Sequence, residues 1–257
     1  MRPFPLSATV RAAYAAVLGE LDTLLRAAGV WLLLLMAISA AARLLPEGNV
    51  EASPALLAFF AVANLVWAFS LNAVAVFWHR HILLGEPAPE LLAPVNGRVL
   101  RYVGVSLLLG LMIAIPFVLL LFVVSTIVAG PGGSISPVID PALSRLLTSV
   151  SIALVMARIH LLLPAVAIGD RRMTPPRAWK LTAGYTLPLL CGIFACALPI
   201  TLLGALLQEL LANLGSSGSL TGLAVATIMD FIQATIVASF MAMSYRFFSA
   251  HVAAPAP

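Results

Sequence analysis

The stretch "PALLAFFAVANLVWAFSLNAVAVFWHRH", Pro54–His81, decides the fold of this chain. From Pro54 to Trp78 it carries no charge. As an α-helix at 1.5 Å per residue that run extends about 36 Å, enough to cross a hydrocarbon core of ~30 Å. It ends on two histidines around an arginine. Histidines two apart on a helix point roughly opposite ways, which is poor chelating geometry. The reading is therefore a span whose Trp78 anchors at headgroup level, with His79, Arg80 and His81 in the phosphate layer.

The rest of the chain repeats that chemistry. Of 257 residues, 62% are hydrophobic and 9% charged, against about a quarter charged in ordinary soluble domains. So little polar surface cannot cover the apolar residues in water, and the solvent must be lipid. Measured against roughly 20 residues per crossing, six spans are predicted: Ala27–Leu45, Pro54–Trp78, Tyr102–Ala129, Pro141–Leu163, Ala183–Asn213 and Leu220–Phe248. The fold class is all-α and polytopic. The expected organisation is a cytoplasmic amphipathic helix within residues 1–26, a transmembrane domain over 27–250 and a short cytoplasmic tail, 251–257.

Charge sets the orientation. With both termini inside, twelve of the fourteen basic residues fall on the cytoplasmic side and only Arg43 and Arg145 outside, a strong positive-inside bias. All but one of those fourteen are arginine, the bias of a GC-rich bacterial genome, so the expected location is a bacterial inner membrane. Ahead of the first span, Val10, Tyr14, Val17, Leu18, Leu21 and Leu25 recur at helical spacing across Ser7–Arg26. That pattern fits a helix in the membrane interface, and equally one packed under the bundle.

"LRAAGVWLLLLM" from Leu25 matches "LRYVGVSLLLGLM" from Leu100, and the returning spans close on "WHRH", "ARIH" and "YRFFSAH". These ends suggest three repeated hairpins. They are also what every inner helix end of a membrane protein needs.

Several residues are candidates for chemistry. After Arg158 the chain stays apolar as "IHLLLPAVAIGD", and Pro164 favours a break there, since it removes a helix hydrogen bond and clashes with the preceding turn. Arg171, Arg172, Arg177 and Lys180 crowd one loop. With Arg80, Arg98 and Arg158 they form a candidate site for anionic headgroups at about 1 kcal/mol per cation, or serve only to set topology. Glu86 and Glu90, in "GEPAPE", read as solvated. Inside the spans, Asp230 shares a face with Thr227 and Gln233, and Asn64 and Asn72 sit in a small-and-polar stripe with Ala61, Ala68 and Ala75. The stripe fits helix packing. An intramembrane carboxylate costs a few kcal/mol unless paired or wetted, which leaves Asp230 as a structural pair or part of a cation or proton path. Cys191 and Cys196 lie five apart on different helix faces with nothing to complete a metal site, so no cofactor is expected.

"LLLPAVAIGDRRMTPPRAWKLTAG", Leu161–Gly184, resembles a stretch of a loose family of bacterial six-helix inner-membrane proteins. That family is related to the membrane domain fused to some glycerophosphodiester phosphodiesterases. The matching positions are Arg158, Pro164, Ala165, Ala167, Ala178, Trp179, Leu181, Thr182 and Gly184. The resemblance implies a multi-helix membrane fold and no activity, because the catalytic diesterase domain is lacking. No G-x-S-x-G serine, histidine–carboxylate couple or glycine-rich phosphate loop is present. The expected function is therefore non-enzymatic: engagement of membrane lipids, anionic ones first, or of a membrane partner, with no nucleic acid involved. The rival is a small-solute or proton-coupled transporter using Asp230 and the Asn64/Asn72 stripe.

Overall fold

The computed structural model describes residues 3–43, 54–89, 96–129, 154–215 and 219–253. Among these the chain is helical throughout, without a strand. In chain order the helices are α1 (Leu6–Gly19), α2 (Leu21–Arg43), α3 (Pro54–Leu84), α4 (Gly97–Ala129), α5 (Leu162–Ile168), α6 (Pro175–Leu181), α7 (Thr186–Asn213) and α8 (Leu220–Ala253). Among the described residues, four helical segments are long and apolar enough to cross a membrane: Leu21–Ala42, Pro54–Leu84, Thr186–Asn213 and Leu220–Ala250. The chain is a membrane-embedded helical protein. The predicted fourth span, with Arg145, lies largely outside the described residues, as does Glu90.

The distribution of side chains is that of a protein dissolved in lipid. Many large apolar residues face outward, Leu33, Leu65 and Leu206 each more than 60% exposed, although Trp78, Phe231 and Phe240 are buried in the centre. Small and hydroxylated ones lie inside, with Ala13, Ala242, Ser70, Ser239 and Ser244 fully buried. Lipid tails are as apolar as leucine, so helices associate through close backbone approach and cross-helix hydrogen bonds rather than through burial of bulk. α8 is the hub, packed against α1, α2, α3, α5 and α7.

α1 shows the rule at short range. Its inward ridge is Thr9, Ala13 and Val17, set against α7 and α8, while Leu18, Leu21 and Leu25 stay exposed. The amphipathic helix expected over Ser7–Arg26 is thus two pieces broken at Glu20, and of its apolar stripe Val10, Tyr14 and Val17 pack inward beside Thr9 and Ala13. Tyr14 fixes it by donating from its hydroxyl to the Ala195 and Cys196 carbonyls at 3.0 and 3.1 Å. Gly192 makes the contact close. A Cβ there would fall inside the Phe240 ring and against Leu6.

The chain breaks between Arg158 and Pro164, as the proline predicts. Residues 154–159 are helical, turn at His160–Leu161, and helix resumes as α5. In an unbroken helix Pro164 would have to donate to the His160 carbonyl, and it has no N–H to give. α5 is buried along almost its whole length, among α3, α4 and α8. It ends at Gly169, whose φ of 81° is the left-handed turn glycine adopts without strain.

Candidate functional site

Polar chemistry gathers in two places: the basic end of the bundle, and a seam along its middle. At the basic end, α3 overshoots. It runs to Leu84, so Trp78 and His79 lie inside the protein rather than at its rim. Both are fully buried. Trp78 Nε1 donates to Ser239 Oγ on α8 at 2.7 Å. His79 Nε2 and the Tyr102 hydroxyl on α4 share a hydrogen bond at 3.2 Å. The expected headgroup anchor is therefore a pair of helix-to-helix clasps, and the phosphate-layer reading of His79 does not hold. Of the three polar residues in "WHRH", only His81 reaches out, to the Glu20 carboxylate at 2.5 Å.

Arg80 and Arg158 are also occupied by the fold. Arg80 pairs with Glu86, its Nε donating to Oε2 at 2.8 Å and its Nη2 to Oε1. It also caps α5 by donating from Nη1 to the Ala167 carbonyl at 3.0 Å. Glu86, read as solvated, is instead the partner of Arg80. The hydrogen bond from Arg80 holds its carboxyl below the ordinary value of 4.5, helped by the nearby charges of Arg80 and Arg98 against partial burial.

Arg158 donates to the Trp179 carbonyl and to Thr186 Oγ1, both at 2.9 Å, and its guanidinium lies 4.5 Å from the centre of the Trp179 ring. Thr182 Oγ1 donates back to the Arg158 carbonyl at 2.9 Å. Arg158, Trp179 and Thr182 thus form one staple binding the break before α5 to the end of α6. Arg80 and Arg158 both spend donors on helix ends, and Arg158 Nε is buried with no partner among the described residues.

Arg171, Arg172 and Lys180 are different. They are exposed, as is Arg98, and none forms a side-chain ion pair among the described residues. Arg177, half-buried, donates to the Arg172 carbonyl at 3.3 Å. Asp170 accepts from the Arg172 backbone N–H and from the Tyr245 hydroxyl, at 2.8 and 2.6 Å, which pins the loop to α8. Trp179 stands beside these cations, 46% exposed.

The seam lies between α3 and α8. Asn72 accepts at Oδ1 from Ser106 Oγ on α4, 3.0 Å away, so this part of the stripe does bind helices together. Asn64 only donates to the Phe60 carbonyl of its own helix, at 2.8 Å. Gln233 accepts at Oε1 from Thr201 Oγ1 on α7 at 2.8 Å. The Asp230 side chain is exposed and hydrogen-bonded by Trp67. Two grooves meet at that pair. One, of about 260 Å³, holds Ser39, Asn64 and Thr227. The other, of about 380 Å³, runs past Asn72 and Gln233 to Tyr102 and Met241.

Three participants were missed from the sequence. Trp67 lies three residues from Asn64, which places it on the same helix face and could have found it. Tyr102 and Gly192 had no such signal, because their partners are distant in the chain. Cys196 is buried and Cys191 is exposed. Among the described residues, no group of three or more His, Cys, Asp or Glu could hold a metal ion. No family model matches the chain, and neither a curated protein nor a solved structure matches it.

Proposed function

We propose that this chain is a non-enzymatic, six-span bacterial inner-membrane protein, three hairpins with both termini cytoplasmic, that engages anionic lipid headgroups. We place it with the six-helix family its Leu161–Gly184 motif resembles. One observation carries the lipid reading: the basic groups divide in two. Arg80 and Arg158 are spent on helix ends, while Arg171, Arg172 and Lys180 remain exposed beside a half-exposed Trp179. Exposed cations beside an amphipathic ring are what a headgroup layer attracts, at about 1 kcal/mol per cation.

Native mass spectrometry of the protein released from its own membranes tests this, with wild type beside Arg171→Ala/Arg172→Ala. A retained anionic lipid that disappears in the variant supports the reading and names the headgroup. If the same lipid persists in the variant, or none is retained, the loop only sets topology or meets a protein partner.

The meeting of two grooves at Asp230 favours a second reading, small-solute or proton-coupled transport along the α3–α8 seam. Under it, Asp230→Asn abolishes a flux while the protein stays folded.

A further inference from the structure

Asp230 stands ten residues into α8, about 15 Å along the helix axis, so its carboxylate sits within the span. Such a group normally has a cation or water for company, since its charge costs a few kcal/mol there. Among the described residues no cationic side chain pairs with it. Its partner among the described residues is Trp67, whose indole donates a single N–H. Four lone-pair sites on a carboxylate leave its charge open to a cation on the exposed side.

The surroundings state what shape that cation has. From Asp230 to Met241 the larger groove follows α8 for roughly 16 Å, walled by Leu71, Ala75, Val237 and Ala238. These walls are apolar and small. At about 380 Å³ the space falls within the usual range for small-molecule sites, roughly 300–1,000 Å³. Trp67 borders both grooves, so an aromatic ring lines the place where a cation would rest. Gln233, with Oε1 taken by Thr201, keeps its amide N–H groups for an acceptor next to that cation.

We propose that Asp230, Trp67 and Gln233 form a binding site for an amphipathic cation, an amine or quaternary ammonium head on a slender apolar body. The head sits at the carboxylate and the body lies along the α3–α8 groove. The site deepens the transport reading and rests on the same seam, but it needs only binding, not movement.

The test uses the full chain in nanodiscs of zwitterionic lipid, with empty discs as background. The probes are radiolabelled decyltrimethylammonium and, as its anionic counterpart, decyl sulfate. Saturable binding of the cation alone is expected. Asp230→Asn weakens it at least about tenfold, the scale of one lost ion pair outside bulk water, while Asp230→Glu stays close to wild type. Ala234→Leu, which fills the groove one turn along α8 and leaves the carboxylate itself in place, abolishes binding and serves even if Asp230→Asn fails to fold. Equal binding of both probes, or an affinity unchanged in folded Asp230→Asn, overturns the site and leaves only an apolar groove. Flux of the cation into proteoliposomes separates the two ideas. Binding without flux sinks transport and keeps the site; an Asp230-dependent flux of another solute without cation binding sinks the site and keeps transport.

Discussion

The basic end of the bundle and the α3–α8 seam are built from similar residue types and put them to opposite use. At the basic end each carboxylate and guanidinium that enters the fold has a named partner: Arg80 with Glu86 and Ala167, Arg158 with Trp179 and Thr186, His81 with Glu20, Tyr245 with Asp170. Those bonds run between elements far apart in sequence, so they fix how the helices end. Along the seam, Asp230 and Gln233 are held from one side and open on the other. Polar groups that hold a membrane bundle together are consumed in doing so. The ones left partly open are where a ligand can act.

The sharpest way to break this contrast is at the tight end. Gly192→Val inserts a branched side chain where even a Cβ meets Phe240 and Leu6. Phe240 is fully buried and stacked against His160, so it has nowhere to go. Overpacking of this kind costs about 1–3 kcal/mol where a core can adjust and more where it cannot. The expected outcome is loss of monodisperse protein on size exclusion. A variant with wild-type thermal unfolding would show that α1 is not docked as described.

Arg158→Ala comes next. It removes donors from the Trp179 carbonyl and Thr186 hydroxyl and uncovers one face of the Trp179 ring. Hydrogen bonds to a charged group are worth about 1.5–3 kcal/mol, so a drop of that order in unfolding free energy is expected in detergent. Arg158→Lys should recover little, because a point ammonium cannot span two acceptors while stacking on an indole. Full rescue by lysine would mean that only the charge matters there, as topology alone requires.

These two sites also show what the sequence could reveal. Arg158, Trp179 and Thr182 stand out in the chain because a short motif gathers them, and the fold joins them directly. The lipid-dissolved, all-helical class follows from Pro54–Trp78 and its like. Burial of His79 does not, because counting residues from Pro54 assumes that a helix stops at the membrane surface. α3 runs on to Leu84, and the partner waiting for His79 is Tyr102, on another helix. The inward face of α1 was partly hidden for a related reason. Periodicity does find Val10, Tyr14 and Val17, which pack inward. It also gathers Leu18, Leu21 and Leu25, which face outward, and it passes over the small residues Thr9 and Ala13 that complete the ridge.

At the seam the comparison predicts tolerance. Ala234→Leu adds bulk into open groove rather than into packed core, so its unfolding free energy should stay within about 1 kcal/mol of wild type, far from the loss expected at Gly192. A collapse as severe as Gly192→Val would show that the groove is closed in the folded protein, and the contrast between the two regions would disappear.

The smallest effect belongs to the Arg80–Glu86 pair, and pH exposes it. Hydrogen bonding from Arg80 lowers the folded-state value of the Glu86 carboxyl below its ordinary 4.5. A depressed acid contributes stability in full above its unfolded value and loses it as pH falls through the folded one. Glu86 is 38% exposed on its side chain, so solvent screening leaves about 0.5 kcal/mol or less. Glu86→Gln should therefore unfold slightly earlier than wild type at pH 7, and the two curves should converge as the pH is lowered below 4.5. A gap that persists in acid would assign the difference to packing of the turn after α3 rather than to charge. Arg80 would then hold α5 through the Ala167 carbonyl alone.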